Sequence, residues 1–277
     1  MRVTARCLSL LVLLGVSSLR AQASLAAGAT GGAVKLTAQR SEQALTGILQ
    51  YQAGSWLSLS ATPSFLHVSD VVSGKAASSF GTGDLPLSAA ASHGFATTGS
   101  PVIAGVLTVV LPTGNAACGL GSGQTSFGLD LGAGASPGEH LHIAADASRG
   151  IGGLSAQSAL SAPRATSLRG EASYDLSPRW TTSVSLGVDV GQSDSTQALS
   201  RSLGAGLTHP LAGPLTLTLD GSVGLSAASP KWALSVGIGS VFAGTSPVSL
   251  SSPLRRLKST FVGGASRGGG AGKVGCR

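Results

Sequence analysis

Aromatic residues make up only 4% of this 277-residue chain and charged residues only 10%. There is one methionine, and there are three cysteines. So little charge is unusual for a soluble exported protein. Long hydrophobic runs are also missing. Apart from Cys7–Leu19, no stretch is long and apolar enough for a transmembrane helix. Basic charge is scarce where a nucleic-acid footprint would need it. The formal net charge is +7, but Arg2, Arg6 and Arg20 lie at the N-terminus. Arg255, Arg256, Lys258, Arg267, Lys273 and Arg277 lie in a C-terminal stretch without acids. Between Ser24 and Pro253 nine Lys/Arg face eleven Asp/Glu, a balance of −2. The body is therefore no nucleic-acid binder.

The first residues have the form of an export signal. Arg2 and Arg6 precede the apolar Cys7–Leu19, and Ala21-Gln22-Ala23 is a small-x-small cleavage site. Thirteen apolar residues are short for a membrane anchor. Residues 1–23 are thus expected to be removed, leaving Ser24 first and Cys118 and Cys276 as the remaining cysteines.

What the chain has in abundance is a two-residue beat. Leu215, Leu217, Leu219, Val223 and Leu225 alternate with Thr216, Thr218, Asp220, Ser222 and Gly224. Only a β-strand places alternate residues on opposite faces. The beat predicts strands near 33–40, 44–52, 56–68, 84–95, 102–112, 124–135, 140–149, 166–176, 180–190, 199–209, 215–225 and 231–242. Short turns such as 54–55, 136–139, 177–179 and 210–214 alternate with longer connections at 69–83, 113–123 and 150–165. Twelve strands, short turns on one side and long loops on the other predict an all-β transmembrane antiparallel up-and-down β-barrel over residues 24–243. A soluble β-sandwich would also alternate, but its interior holds bulky apolar residues. Here the polar face is mainly Gly and Ser. Residues 244–277 form a basic, Gly-rich tail expected to be disordered.

Charges on the lipid-facing side cost about 2–4 kcal/mol at the bilayer midplane, so they are expected to line the interior. The candidate lumen residues are Asp130, His142, Asp146, Arg169, Glu171, Asp175, Asp189 and Asp220. His140 shares a predicted face with His142, but two histidines without a third ligand do not define a metal site. No Ser-His-acid spacing marks a hydrolase, so no catalytic residue and no cofactor are assigned. The predicted topology puts Cys118 and Cys276 on opposite sides of the membrane, so they could pair only if the tail threads the lumen or if the chain takes a different topology.

Val109-Val110-Leu111-Pro112-Thr113-Gly114 closes one strand, and Gly121-Ser122-Gly123-Gln124-Thr125-Ser126-Phe127-Gly128 opens the next. Gly83-Asp84-Leu85-Pro86-Leu87-Ser88 opens another upstream. This arrangement resembles a broad family of outer-membrane barrels described as transporters or as components of a phenol-degradation pathway. The resemblance spans about Gly83–Phe242 and implies an outer-membrane barrel. It carries over no functional residues.

The function expected is a pore or passive transporter of small solutes, hydrophobic or aromatic ones among them, in a bacterial outer membrane. A structural or surface-interaction barrel with a closed lumen is the alternative, and an outer-membrane lipid hydrolase the third. The expected partners are outer-membrane lipid, small solutes and the barrel-insertion machinery, with no nucleic acid. The oligomeric state is not legible.

Overall fold

The computed structural model describes residues 24–53, 56–72, 74–153, 166–190, 200–212, 215–227 and 229–240. The expected signal, the tail, Phe242 and Cys276 lie outside them. The described residues form β1 (Ser24–Lys35), β2 (Ser41–Ala53), β3 (Leu57–Ala61), β4 (Ser64–Val72), β5 (Lys75–Thr82), β6 (Leu85–Gly94) and β7 (Val102–Leu111). The second half holds β8 (Ser126–Ala135), β9 (Leu141–Gly153), β10 (Thr166–Ser177), β11 (Trp180–Val190), β12 (Arg201–Pro210), β13 (Leu215–Gly224) and β14 (Trp232–Ser240).

These segments build twelve staves. Pro63 has no N–H to give, so the strand breaks between β3 and β4. The ladder nevertheless runs on through the break. The Gly47 N–H donates to the Pro63 carbonyl at 2.9 Å, and Thr62 N–H to that of Pro86 at 3.1 Å. β3 and β4 both pair with β2, so they are one interrupted stave. Likewise β5 pairs with β4, and β6 with β3 and β7. All pairings are antiparallel, and β1 pairs with both β14 and β2. The result is a closed 12-strand antiparallel β-barrel. Closure removes the open sheet edges that would otherwise need partners.

Two departures from the sequence reading stand out. Residues 69–83 are not a long loop. They are the β4–β5 hairpin, paired from Phe65↔Thr82 to Val72↔Lys75. The first strand covers Ser24–Lys35, and residues 36–40 are its turn into β2.

The alternation sorts the side chains in space. Leu45, Leu49, Leu107, Leu131, Leu168, Leu186, Leu234, Val236 and Ile238 are exposed on the outside. Thr30, Thr46, Gln50, Ser58, His142, Ser173 and Ser185 are buried on the inside. Tyr51, Trp56, Phe95, Tyr174 and Trp180 ring the outer surface near the end that carries the start of β1 and the end of β14. Phe80 and Trp232 mark the other end. Aromatic rings sit well where hydrocarbon gives way to headgroups. No helix among the described residues is long and apolar enough to cross a membrane, which bears on helices alone.

Candidate functional site

The inner wall is electrostatically one-sided. On β8–β11 and β13 the inward positions hold Asp130, Asp146, Arg169, Glu171, Asp175, Asp189 and Asp220. Asp130 lies between the exposed Leu129 and Leu131, and Asp175 between the exposed Tyr174 and Leu176. On β1, β2, β6 and β7 the inner face instead mixes small and apolar residues, including Ala26, Val34, Ile48, Ala90, Ala104 and Val106, with the uncharged polar Thr30, Thr46 and Gln50, all buried. The acid there is Glu42 near the loop end, held by Arg40 at 2.8 Å.

The acidic half is knit across strands. Asp146 stands directly opposite Arg169, and Asp130 opposite Ser148. Arg169 Nη2 donates to Glu171 Oε2 at 2.6 Å, with both side chains largely buried. Arg169 thus binds Glu171 on its own strand and stands opposite Asp146 on β9, with Asp130 on β8 beyond. Nearer the loop end the Ser167 hydroxyl donates to Asp189 Oδ1 at 2.5 Å. Asp220 lies over Gly206, its cross-strand partner. A Cβ at Gly206 would come within 2.6 Å of both Asp220 Oδ1 and Ser183 Oγ, so glycine there makes room for the carboxylate.

At the terminal end His142 joins two strands and a turn. Its Nδ1 lies 2.8 Å from Ser136 Oγ, and its Nε2 lies 3.0 Å from Asp175 Oδ2. The Thr181 hydroxyl donates to the other oxygen of Asp175 at 2.6 Å. Nothing in the sequence pointed to Ser136 or Thr181, because both lie at strand–turn junctions whose register pairing alone brings them to the imidazole. His140 does not join them. Its ring lies 6.0 Å from the outward-facing Tyr174, so the shared face predicted for the two histidines is not formed. The chain Ser136–His142–Asp175 has the order of a nucleophile, a base and an orienting acid. However, the Ser136 amide is engaged by the Gly99 carbonyl oxygen at 2.7 Å, so it supplies no oxyanion donor there. Among the described residues no group of three or more His, Cys, Asp or Glu is placed to hold a metal ion.

The connection from β7 to β8 folds inward over the mouth. Asp84, in the break between β5 and β6, accepts from Gly114 N–H at 3.0 Å and from Ser122 N–H and Oγ at 2.7 Å each. Thr113 Oγ1 donates to the Gly83 carbonyl at 2.8 Å. Between these anchors a 3-10 turn at Ala116–Cys118 is capped by Asn115, whose side chain accepts from Ala117 N–H. Cys118 and Leu120 then pack on Val68, with Leu66 beside them. Val68 pairs with Glu42 and Leu66 with Ala44, both inward positions of β2, so the loop sits against the inside of the barrel. Cys118 is 3% exposed and disulfide-bonded, and its partner lies outside the described residues.

The fold and its sidedness, apolar outside and polar within, define an outer-membrane-type β-barrel. Solved structures of the same architecture include a KdgM porin, with a TM-score of 0.52 at 11% identity over 79% of this chain and 99% of that one. A second, a KdgM porin in complex with disordered oligogalacturonate, gives 0.51 at 11% identity over the same shares. At such identities the likeness is one of fold. No protein-family model and no curated protein sequence matches this chain.

Proposed function

We propose that this chain is a passive channel of a bacterial outer membrane, passing small solutes with a preference for cations and against anions. The observation that carries this reading is the inner wall, where among the described residues of β8–β11 and β13 six inward acids accompany one inward arginine. Charged rings set ion preference in pores. The apolar outer face supports residence in lipid, and the parity of the strands supports loops outside and both termini in the periplasm. The same acids argue against an anionic oligosaccharide such as oligogalacturonate as cargo, since like charges repel in a narrow bore. The resemblance to barrels associated with phenol degradation extends the solute class to small aromatic or hydrophobic molecules. The less charged half of the wall, with Val34, Ile48 and Val106, would tolerate these.

The test is the reversal potential across a planar bilayer under a KCl gradient. Measured on the chain without its basic residues 244–277, so that the wall's own charges set the field, cation preference is expected, and it should weaken in the Asp130→Asn/Asp220→Asn double variant of that chain. Anion preference, or a reversal potential unmoved by the double variant, would contradict the reading. The alternative, a surface or structural barrel with a closed lumen, draws support from the inward fold of residues 113–124; an absence of conductance under every condition would favour it. A lipid hydrolase draws support from the Ser136–His142–Asp175 chain. Hydrolysis of a phospholipid substrate that is lost in both Ser136→Ala and His142→Ala would establish it.

A further inference from the structure

We infer that the lumen is the binding site of the chain's own C-terminal tail, which runs through the bore and is tied to the mouth by a Cys118–Cys276 disulfide. Cys118 is disulfide-bonded, and among the described residues there is no second cysteine. The full sequence has two others, Cys7 and Cys276. Cys7 lies in the segment expected to be cut off on export, which leaves Cys276.

Topology then dictates the route. β14 ends at Ser240, paired with Leu215, at the terminal end of the barrel. Cys118 sits at the loop end, buried against Val68 on the inner wall. The wall is hydrogen-bonded all round, so the tail can reach Cys118 along the outside or through the bore. The outside is apolar, and each charge carried through the bilayer midplane costs about 2–4 kcal/mol. The tail carries six basic residues and no acid from residue 244 onward. The bore offers Asp130, Asp146, Glu171, Asp189 and Asp220 along its length. Charge complementarity therefore selects the inner route.

Size agrees. From Ser240 to Cys276 the chain can extend about 120 Å at about 3.3 Å per residue. A twelve-residue stave such as β10 is only about 40 Å long. Seven glycines among the last sixteen residues keep the tail thin. The wall is already deeply covered where a wide aqueous bore would leave it wet. Inward Thr30, Thr46, Ser58, Ser173 and Ser185, spread over both halves, are all buried. Gln50 is 3% exposed, and its Oε1, like Thr218 Oγ1 on the far wall, is a buried acceptor without a partner among the described residues. Such groups call for a donor, and Arg or Lys side chains and tail amides supply donors. Forming the bond removes one proton and one electron from each cysteine. A disulfide-bearing oxidant of the exported compartment takes both electrons and both protons and leaves as its dithiol.

The tether is independent of the channel reading; its effect on current rests on that reading. Non-reducing peptide mapping of the full mature protein should find the peptide pair joining Cys118 to Cys276, lost on reduction. Cys276 as a free thiol, or Cys118 joined to Cys118 of a second chain, would overturn the inference. In bilayers, removing residues 244–277 or substituting Cys276→Ser and adding reductant should raise single-channel conductance severalfold over the oxidised full chain. Equal, non-zero conductance in full and shortened chains would place the tail outside the bore and also overturn it. If the joined peptide is found and neither form conducts, the tether stands and the channel reading fails.

Discussion

Gly28 shows how little room the closing seam leaves. It faces Gly239 across the β1–β14 pairing. A Cβ there would meet the Gly239 Cα and the Ile238 carbonyl oxygen, both backbone atoms, at 2.9 Å. Gly28→Ala should therefore loosen closure, by about 1–3 kcal/mol, as overpacking does elsewhere. Gly31, three residues on, has nothing within 4 Å of such an atom. Gly31→Ala is the matched control and should be close to neutral; urea titration of the folded barrel in detergent compares the two. On the lipid side Leu131 is exposed beside the inward Asp130. Leu131→Arg should cost about 2–4 kcal/mol if that position lies near the midplane, read as a lower yield of folded barrel in vesicles. Asp130 and Asp175 take their predicted direction from the two-residue beat, each falling between large apolar neighbours, Leu129 and Leu131 or Tyr174 and Leu176. His140 misled that reading because it precedes β9 and lies in the turn, where strand parity no longer governs direction.

The loop and hairpin around Asp84 are a unit held by one carboxylate. Three donors converge on it from Gly114 and Ser122. Hydrogen bonds to a charged acceptor contribute about 1.5–3 kcal/mol each, so Asp84→Ala should free the loop while the staves stay paired. Limited proteolysis would detect this as new cleavage within residues 113–124. Intact protection in the variant would mean that the Cys118 and Leu120 packing alone holds the loop. This hairpin is also where sequence was least legible. Val71-Val72, Ala76-Ala77 and Ser78-Ser79 break the two-residue beat, and Gly and Ser suggested a loop. What makes the region strand is the antiparallel pairing of β4 with β5 around the turn at Gly74, whose φ is +77°. The first strand was similarly hard to place. Ala and Gly occupy both faces of Ser24–Gly32, so no contrast marks the alternation. From β8 to β14 large apolar residues stand against Ser, Thr, Asp and Gly, and there the strands fell within a few residues of their predicted positions.

At the scale of the whole molecule, function hangs on sidedness. The same wall is apolar to the outside and acidic within, and no segment of the described chain has to compromise between the two. That sidedness could be read in advance from composition and period. The partition of the inner face into an acidic half and a less charged half, where Arg40 pairs with Glu42, could not, because it depends on which staves are neighbours around the closed wall. The central claim is that this closed barrel sits in a membrane. Its most direct test is to express the full chain and separate the membrane fraction from the soluble periplasm. The membrane protein is then run on SDS gels with and without boiling. A compact barrel that resists SDS should be found in the membrane and should migrate differently until boiled. Recovery in the soluble fraction, with identical mobility before and after boiling, would contradict the account.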